Sequence, residues 1–217
     1  MSNENKKTVH IDIVSDVICP WCYVGKRRLG EAIKQSRELY PNFSFEIEWH
    51  PYLLDPSLTK EAQSKKERLL KKFGESTFNS NAAILIELGK EIGINFDHDG
   101  VVAQTYDAHR LIKYAKSQGK QEEMVEILFH NYHEEGKNPA DYDVLSEAAA
   151  SIGLDKEKVL QFLKSDERMQ QVKDEISQAL NKGIAGVPYY TINNKIEVSG
   201  GQEPKVWLEA FEKISKE

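Results

Sequence analysis

Ser15-Asp16-Val17-Ile18-Cys19-Pro20-Trp21-Cys22-Tyr23-Val24-Gly25 is the stretch on which the reading of this chain turns, because both cysteines of a 217-residue protein lie in it, three positions apart. The residues before the pair, His10-Ile11-Asp12-Ile13-Val14, are β-branched and extended in character. Those after it, Tyr23 to Tyr40, carry apolar side chains at Val24, Leu29, Ile33 and Leu39 with charges between them. The pair therefore sits where a strand gives way to a helix. Pro20 suits the first helical position, since its φ is already helical and the N–H it lacks would have had no partner there, and this makes Cys19 the cap residue. Unpaired amides and the positive end of the helix dipole favour a thiolate at a cap. Cys19 thus reads as an attacking sulfur, and Cys22, one turn further in, as the thiol that resolves a mixed disulfide.

The same spacing can form half of a zinc site, but structural zinc takes four ligands and the chain has no third cysteine. His130 and His133, far along the chain on an expected amphipathic helix, would meet the cysteines only by accident of folding. Phe96-Asp97-His98-Asp99-Gly100 has the outline of a calcium loop, yet the twelfth position from Asp97 is Ala108, where a bidentate Glu is required. Neither a metal nor a cofactor is expected.

Three segments together resemble one family. Ser15 to Gly25 is similar to the strand-to-helix junction of the thioredoxin superfamily in its DsbA-like branch, which includes FrnE-type oxidoreductases. Ala108-His109-Arg110-Leu111 resembles the helical motif that these proteins carry in their insertion. Gly186-Val187-Pro188-Tyr189-Tyr190, followed by Val198-Ser199-Gly200-Gly201-Gln202, resembles their proline loop and final turn. The chain departs from the pattern at Gln104, where relatives commonly have Asn, and this puts a local hydrogen bond in question.

The resemblance implies an α/β thioredoxin fold interrupted by an all-helical insertion, and a thiol-disulfide oxidoreductase acting through the Cys-Pro-Trp-Cys pair on protein or small-molecule disulfides. Cys19, Cys22 and Pro188 would be catalytic, with Pro188 cis and facing the cysteines. Val187 would offer a backbone edge to a substrate peptide, and Pro20, Trp21, Tyr189 and His109 would complete the substrate side. On its own spacing His109 falls with Tyr106 and Ile112 and reads as a packed, hydrogen-bonded histidine. Asp16 reads as a turn residue ahead of the helix rather than a proton acceptor for the buried thiol, and Arg110 as solvated. Trp21, Tyr23, Tyr189 and Tyr190 fit either a groove or an ordinary core.

Around these segments the chain divides in three. A strand over 8–14, the motif helix to Tyr40 and an alternating strand over Phe43 to His50 make a β-α-β unit. From Asp55 to Lys164 the pattern is helical throughout, with helices expected at 60–73, 77–92, 105–117, 121–135, 142–152 and 156–163. Gly74, Gly93, Gly119, Gly136 and Gly153 stand where each run stops. A helix over 166–182, strands at 189–192 and 196–198 joined by Asn193-Asn194, and a helix after Pro204 close the chain. The expected domains are 1–57 with 167–217, thioredoxin-like, and 58–166, helical.

With 40% hydrophobic residues the chain can build a core of this size, and its net charge of −6 offers no basic field for nucleic acid. The amino terminus has no apolar stretch of signal-peptide type, and no run is long enough for a membrane span; a cytoplasmic protein is expected. Its expected partners are disulfide-bearing proteins or small thiols, glutathione among them. Two other readings remain open: a glutathione-dependent isomerase or transferase of the related kappa or hydroxychromene-carboxylate isomerase type, whose members generally use a serine and lack the second cysteine, and a non-enzymatic peptide-binding chaperone.

Overall fold

The computed structural model describes residues 6–216. Residues 1–5, part of the amino-terminal stretch read above as lacking a signal sequence, lie outside the described residues. The chain order is β1 (Lys7–Ser15), α1 (Pro20–Leu39), β2 (Phe43–Pro51), β3 (Gln63–Ser64), α2 (Lys65–Phe73), α3 (Glu75–Ile92), β4 (Val101–Val102), α4 (Tyr106–Ser117), α5 (Gln121–His133), α6 (Tyr142–Ser151), α7 (Lys156–Lys164), α8 (Met169–Asn181), β5 (Tyr189–Ile192), β6 (Ile196–Ser199) and α9 (Pro204–Ser215). This is the thioredoxin fold with a helical insertion. No described helix is long and apolar enough to cross a membrane.

The main sheet has the order β2-β1-β5-β6. β1 runs parallel to β2, with Ile11 opposite Ile47 and Ile13 opposite Trp49, and α1 supplies the crossover that such pairing requires. β5 returns antiparallel to β1, setting Tyr190 against Ile13 and Tyr189 against Val14. That register brings the start of β5 to the end of β1, so the loop before β5 meets the first turn of α1. Val9, Ile11 and Ile13 are buried and belong to one continuous apolar core with Trp49, Phe129, Leu163 and Trp207, so sheet and insertion share an interior.

All five glycines expected to stop helices have positive φ, between 62° and 85°, as a left-handed stop requires. Asn193 and Asn194 also take positive φ, 49° and 56°, and the Lys195 N–H donates to Ile192 O. Because Ile192 pairs with Ile196, Lys195 joins the connection and makes it three residues long, one more than expected.

Three other expectations are corrected. The helical stretch is interrupted, since β3 pairs antiparallel with β4, and α2 therefore starts at Lys65 instead of Lys60, capped by Ser64, whose hydroxyl accepts from Glu67 N–H. The helix expected from Asp166 starts at Met169. Arg110 is not solvated: its buried guanidinium donates to the carbonyls of Phe162, Leu163, Ser165 and Glu167 and to Asp107. One side chain thus gathers carbonyls from the end of α7 and from the turn that follows it, where the helix's own ladder stops.

α8 is tied to the sheet and to α4 by Glu175, which accepts from His50 at 3.3 Å and from Lys113 at 2.6 Å. Burial pushes this carboxyl up, but the hydrogen bonds from His50 and Lys113 outweigh it and hold the group down at about 2. A depressed carboxyl stabilises the fold fully above its unfolded value of about 4.3 and loses that contribution as pH falls toward the folded value. Glu175→Gln is expected to cost about 2 kcal/mol in urea titrations at pH 7, with the gap from wild type narrowing between pH 5 and 3. A gap that stays constant over that range would show that the carboxylate charge is not what holds α8.

Candidate active site

Ser15 ends β1, and the chain turns over Asp16-Val17-Ile18, with Cys19 N–H donating to Asp16 O at 3.0 Å. Cys19 is the cap residue of α1, with extended backbone (φ −88°, ψ 112°) and Pro20 at the first helical position. The opposite wall is the loop before β5, where the Val187–Pro188 peptide bond is cis. The Cys19 thiol donates to Val187 O at 3.4 Å. Gly200 N–H donates to Pro188 O at 2.8 Å, which fastens that loop to the turn after β6.

Both cysteines are thiols, and they differ in access. Cys19 keeps 3% of its surface and lines a groove of about 360 Å³ with Ile18, Pro20, Trp21 and Val187, whereas Cys22 is fully enclosed. Burial, followed by the hydrogen bond and charge of Cys19, pushes the Cys22 thiol well above its ordinary value. A sulfur that opens on the groove for first attack and a fully enclosed one, its pKa raised, for resolution is the division of labour that thiol exchange needs.

The family model for the DSBA-like thioredoxin domain matches residues 10–212. The chain belongs to the DSBA-like thioredoxin domain family. Among solved structures it is similar to a probable DsbA oxidoreductase from Streptomyces coelicolor, 28% identical, with a TM-score of 0.86 over 96% of this chain and 91% of that one. Two more distant structures share the fold alone. A 2-hydroxychromene-2-carboxylate isomerase is 13% identical with a TM-score of 0.69, covering 95% of this chain and 96% of that one. The cytosolic disulfide reductase DsbM from Pseudomonas aeruginosa, solved with GSH, is 17% identical with a TM-score of 0.64, covering 97% and 100%.

In this member of the DSBA-like family the junction is fixed from the insertion. Asp16 is no surface turn residue: its side chain is 1% exposed, and its two oxygens accept from Leu54 N–H at 2.7 Å and from the Thr105 hydroxyl at 2.9 Å. His109 is 3% exposed and does not line the groove. Its Nε2–H donates to Tyr52 O at 2.9 Å and lies 3.4 Å from Asp16, so it faces the interior and the substrate-side expectation for it is corrected. Gln104, despite replacing the family's Asn, keeps a local bond, accepting from Tyr106 N–H at 2.7 Å. His133 does reach the motif, but as a donor to Val17 O at 2.9 Å. Among the described residues the one cluster of metal-ligand type is Asp12, Glu48 and His50, none of which lines the groove, and its Glu48 already pairs with Lys113 and Lys116.

The four aromatics separate. Trp21 is 41% exposed and lines the groove, whereas Tyr23 and Tyr190 are core residues. Tyr189 packs on the far side against Tyr52, Ala179 and Ile184 and is not a groove residue. The wall facing the thiol comes from the insertion: Lys65, Leu69, Phe78, Leu85 and His98. Sequence reading missed all five, because the Lys-rich α2 looks like a solvated face and Phe78 and Leu85 look like ordinary core positions.

Beneath the thiols, the Tyr190 hydroxyl is buried with no hydrogen-bond partner among the described residues, pressed against Gly25. A Cβ on Gly25 would lie 2.1 Å from that oxygen and 3.3 Å from Pro188 Cγ. Gly25→Ala is therefore expected to cost about 1–3 kcal/mol by overpacking, and less in a Tyr190→Phe background, where the obstructing oxygen is gone. Thermal unfolding of the four proteins checks this; an equal cost in both backgrounds would rule out the phenol as the obstacle.

Proposed function

We propose that this chain is a thiol-disulfide oxidoreductase of the FrnE-type branch, with Cys19 as nucleophile, Cys22 as resolving thiol and the Val187–Pro188 backbone as the edge that aligns the substrate. The observation that carries the reading is the Cys19 sulfur on the floor of an apolar groove, 3.4 Å from the Val187 carbonyl, with the second thiol enclosed behind it. In the reducing direction the Cys19 thiolate attacks one sulfur of the substrate disulfide. A Cys19–substrate S–S bond forms, and the other substrate sulfur leaves as a thiolate that takes up a proton. Cys22, once deprotonated, attacks Cys19, releasing the second substrate thiol and leaving the protein disulfide, so two electrons pass from the dithiol to the substrate. The oxidising direction is the reverse.

Likeness to the probable DsbA oxidoreductase supports this reading, and the complete cysteine pair favours exchange over the isomerase reading. Glutathione, present with the distant DsbM structure, is a candidate small thiol. A cytoplasmic setting, where thiol pools keep dithiols reduced, would make this protein a reductase, and the division into 1–57 with 167–217 and 58–166 would give the insertion the role of groove wall.

Cys22→Ala is expected to accumulate a mixed disulfide between Cys19 and substrate, since first attack is kept and resolution removed, while Cys19→Ala is expected to give no adduct and no turnover. Mass spectrometry of both variants after exposure to oxidised glutathione reads this directly. Adduct on Cys22 in Cys19→Ala would reverse the roles, and retained peptide binding with no exchange in wild type would favour the chaperone reading.

The residues between the cysteines bear on redox poise, because a neutral Trp21 stabilises a neighbouring thiolate less than an imidazolium would. Equilibration with glutathione buffers is expected to give a potential between about −120 and about −270 mV, raised in Trp21→His. An unchanged or lowered potential in Trp21→His would show that the helix terminus sets the poise instead.

A further inference from the structure

We infer that the groove beside Cys19 contains a carboxylate subsite formed by Lys65 and His98, so that the preferred disulfide or thiol carries an acidic group on an apolar body. This deepens the oxidoreductase reading and rests on it for the word substrate, though the subsite itself does not depend on it.

Lys65 opens α2 and is 4% exposed, an unusual degree of burial for a lysine. Its ammonium donates to Asp97 O at 2.6 Å and Tyr132 O at 3.4 Å and lies 4.7 Å from the Tyr132 ring centroid. An ammonium has three hydrogens, and these contacts use two. The nearest carboxylates, Asp97 and Asp99, act on it only through space. One oxygen of Asp97 accepts from Asp99 N–H, and Asp99 pairs with Lys66. Lys65 is thus a buried cation on the wall of a cavity, with no carboxylate in direct contact among the described residues. Burial pulls its pKa down to about 8, against the upward pull of Asp97 and Asp99.

His98 lines the same cavity, its ring edge-on to Phe78 at 6.0 Å, and its Nε2 is buried with no hydrogen-bond partner among the described residues. Burial, then the neighbouring Lys65 charge, lowers its pKa, which keeps the imidazole neutral. Buried polar atoms in folded proteins are normally paired. Here the His98 Nε2 and one hydrogen of the Lys65 ammonium lack a partner among the described residues in one apolar groove, and in the Nε2–H tautomer, which forgoes the ring's bond to the Ala82 carbonyl, His98 offers a donor beside that hydrogen. A single carboxylate accepts both and neutralises the charge.

The subsite is coupled to the thiol by a short path. The Tyr132 carbonyl holds Lys65, and the next residue, His133, donates to Val17, two residues before Cys19. The anion preference is local, because the whole chain carries a net charge of −6 and repels anions at long range. Of the other charged groove residues, Arg68 is spent on Asp55 at 2.7 Å, and Lys72 stands over the Phe73 ring.

The test is isothermal titration of the full-length reduced protein with 2-naphthoate and with uncharged 2-naphthamide, flat apolar probes that contain no sulfur. At pH 7 the acid is expected to bind about tenfold tighter than the amide, and Lys65→Met, which keeps the stem and removes the charge, is expected to erase that difference while leaving the amide unchanged. A second measurement needs no variant. The acid preference of wild type should fall as pH rises through about 8, where Lys65 loses its proton, while exposed lysines stay charged to about 10.4. Around that ammonium stand Asp97 and Asp99, together with His98 and His133, whose pKa values burial lowers, and Tyr132, whose pKa burial raises, so that these last three stay neutral over this window. Equal affinity for acid and amide, equal loss of both in Lys65→Met, or a flat preference to pH 9.5 would each overturn the subsite. A chain that prefers the acid but exchanges no disulfides would sink the oxidoreductase reading and leave the subsite standing; the converse result would do the opposite.

Discussion

A carboxyl group buried where a strand becomes a helix must find donors, and Asp16 draws them from two segments distant in sequence: the backbone N–H of Leu54 beyond β2 and the hydroxyl of Thr105 at the head of α4. Leaving such a group unsatisfied in the interior is costly, so the turn ahead of Cys19 is held wherever those donors are. His133 adds a third tie at Val17. The loop that presents Cys19 is therefore positioned by Thr105 and His133 of the insertion as well as by the strand that leads into it. The insertion frames the thiol, besides walling the groove.

On the sheet side the constraint is register. Pairing Val14 with Tyr189 and Ile13 with Tyr190 brings the Val187 carbonyl to the Cys19 sulfur, and a slip of one residue would exchange Tyr189 for the core residue Tyr190. The two thiols then differ in place and in depth: Cys19 caps α1 and lines the groove, whereas Cys22 lies in its first turn and is fully enclosed.

Much of this was legible in the chain. The paired cysteines with proline between them located the helix start, and the alternation in Phe43 to His50 and the glycine stops marked the elements, because those signals are local and each has one physical cause. What failed were residues whose environment is set by distant partners. Asp16 and Arg110 look like surface polar residues until the donors and acceptors that enclose them are known, and nothing near them in sequence announces Leu54, Thr105 or the end of α7, whereas the helical spacing of His109 with Tyr106 and Ile112 did mark it as packed. Lys65 failed for the same reason: in a run of lysines, the one that turns inward is chosen by packing of α2 against Tyr132, not by its neighbours. The short β3–β4 pair was missed because two residues per strand carry no periodicity to read.

Gly201 closes the description from the last turn of the chain. A Cβ there would meet the Trp21 carbonyl oxygen at 2.9 Å and Gly25 N at 3.3 Å, so main chain lies directly on main chain beneath the first turn of α1. Such a contact contains no rotatable side chain, and its spacing is governed by bond lengths and atomic radii, which thermal motion barely alters. The positional tolerance of the Cys19 sulfur is accordingly that of the scaffold and a single χ1 angle, a narrow aperture on the groove.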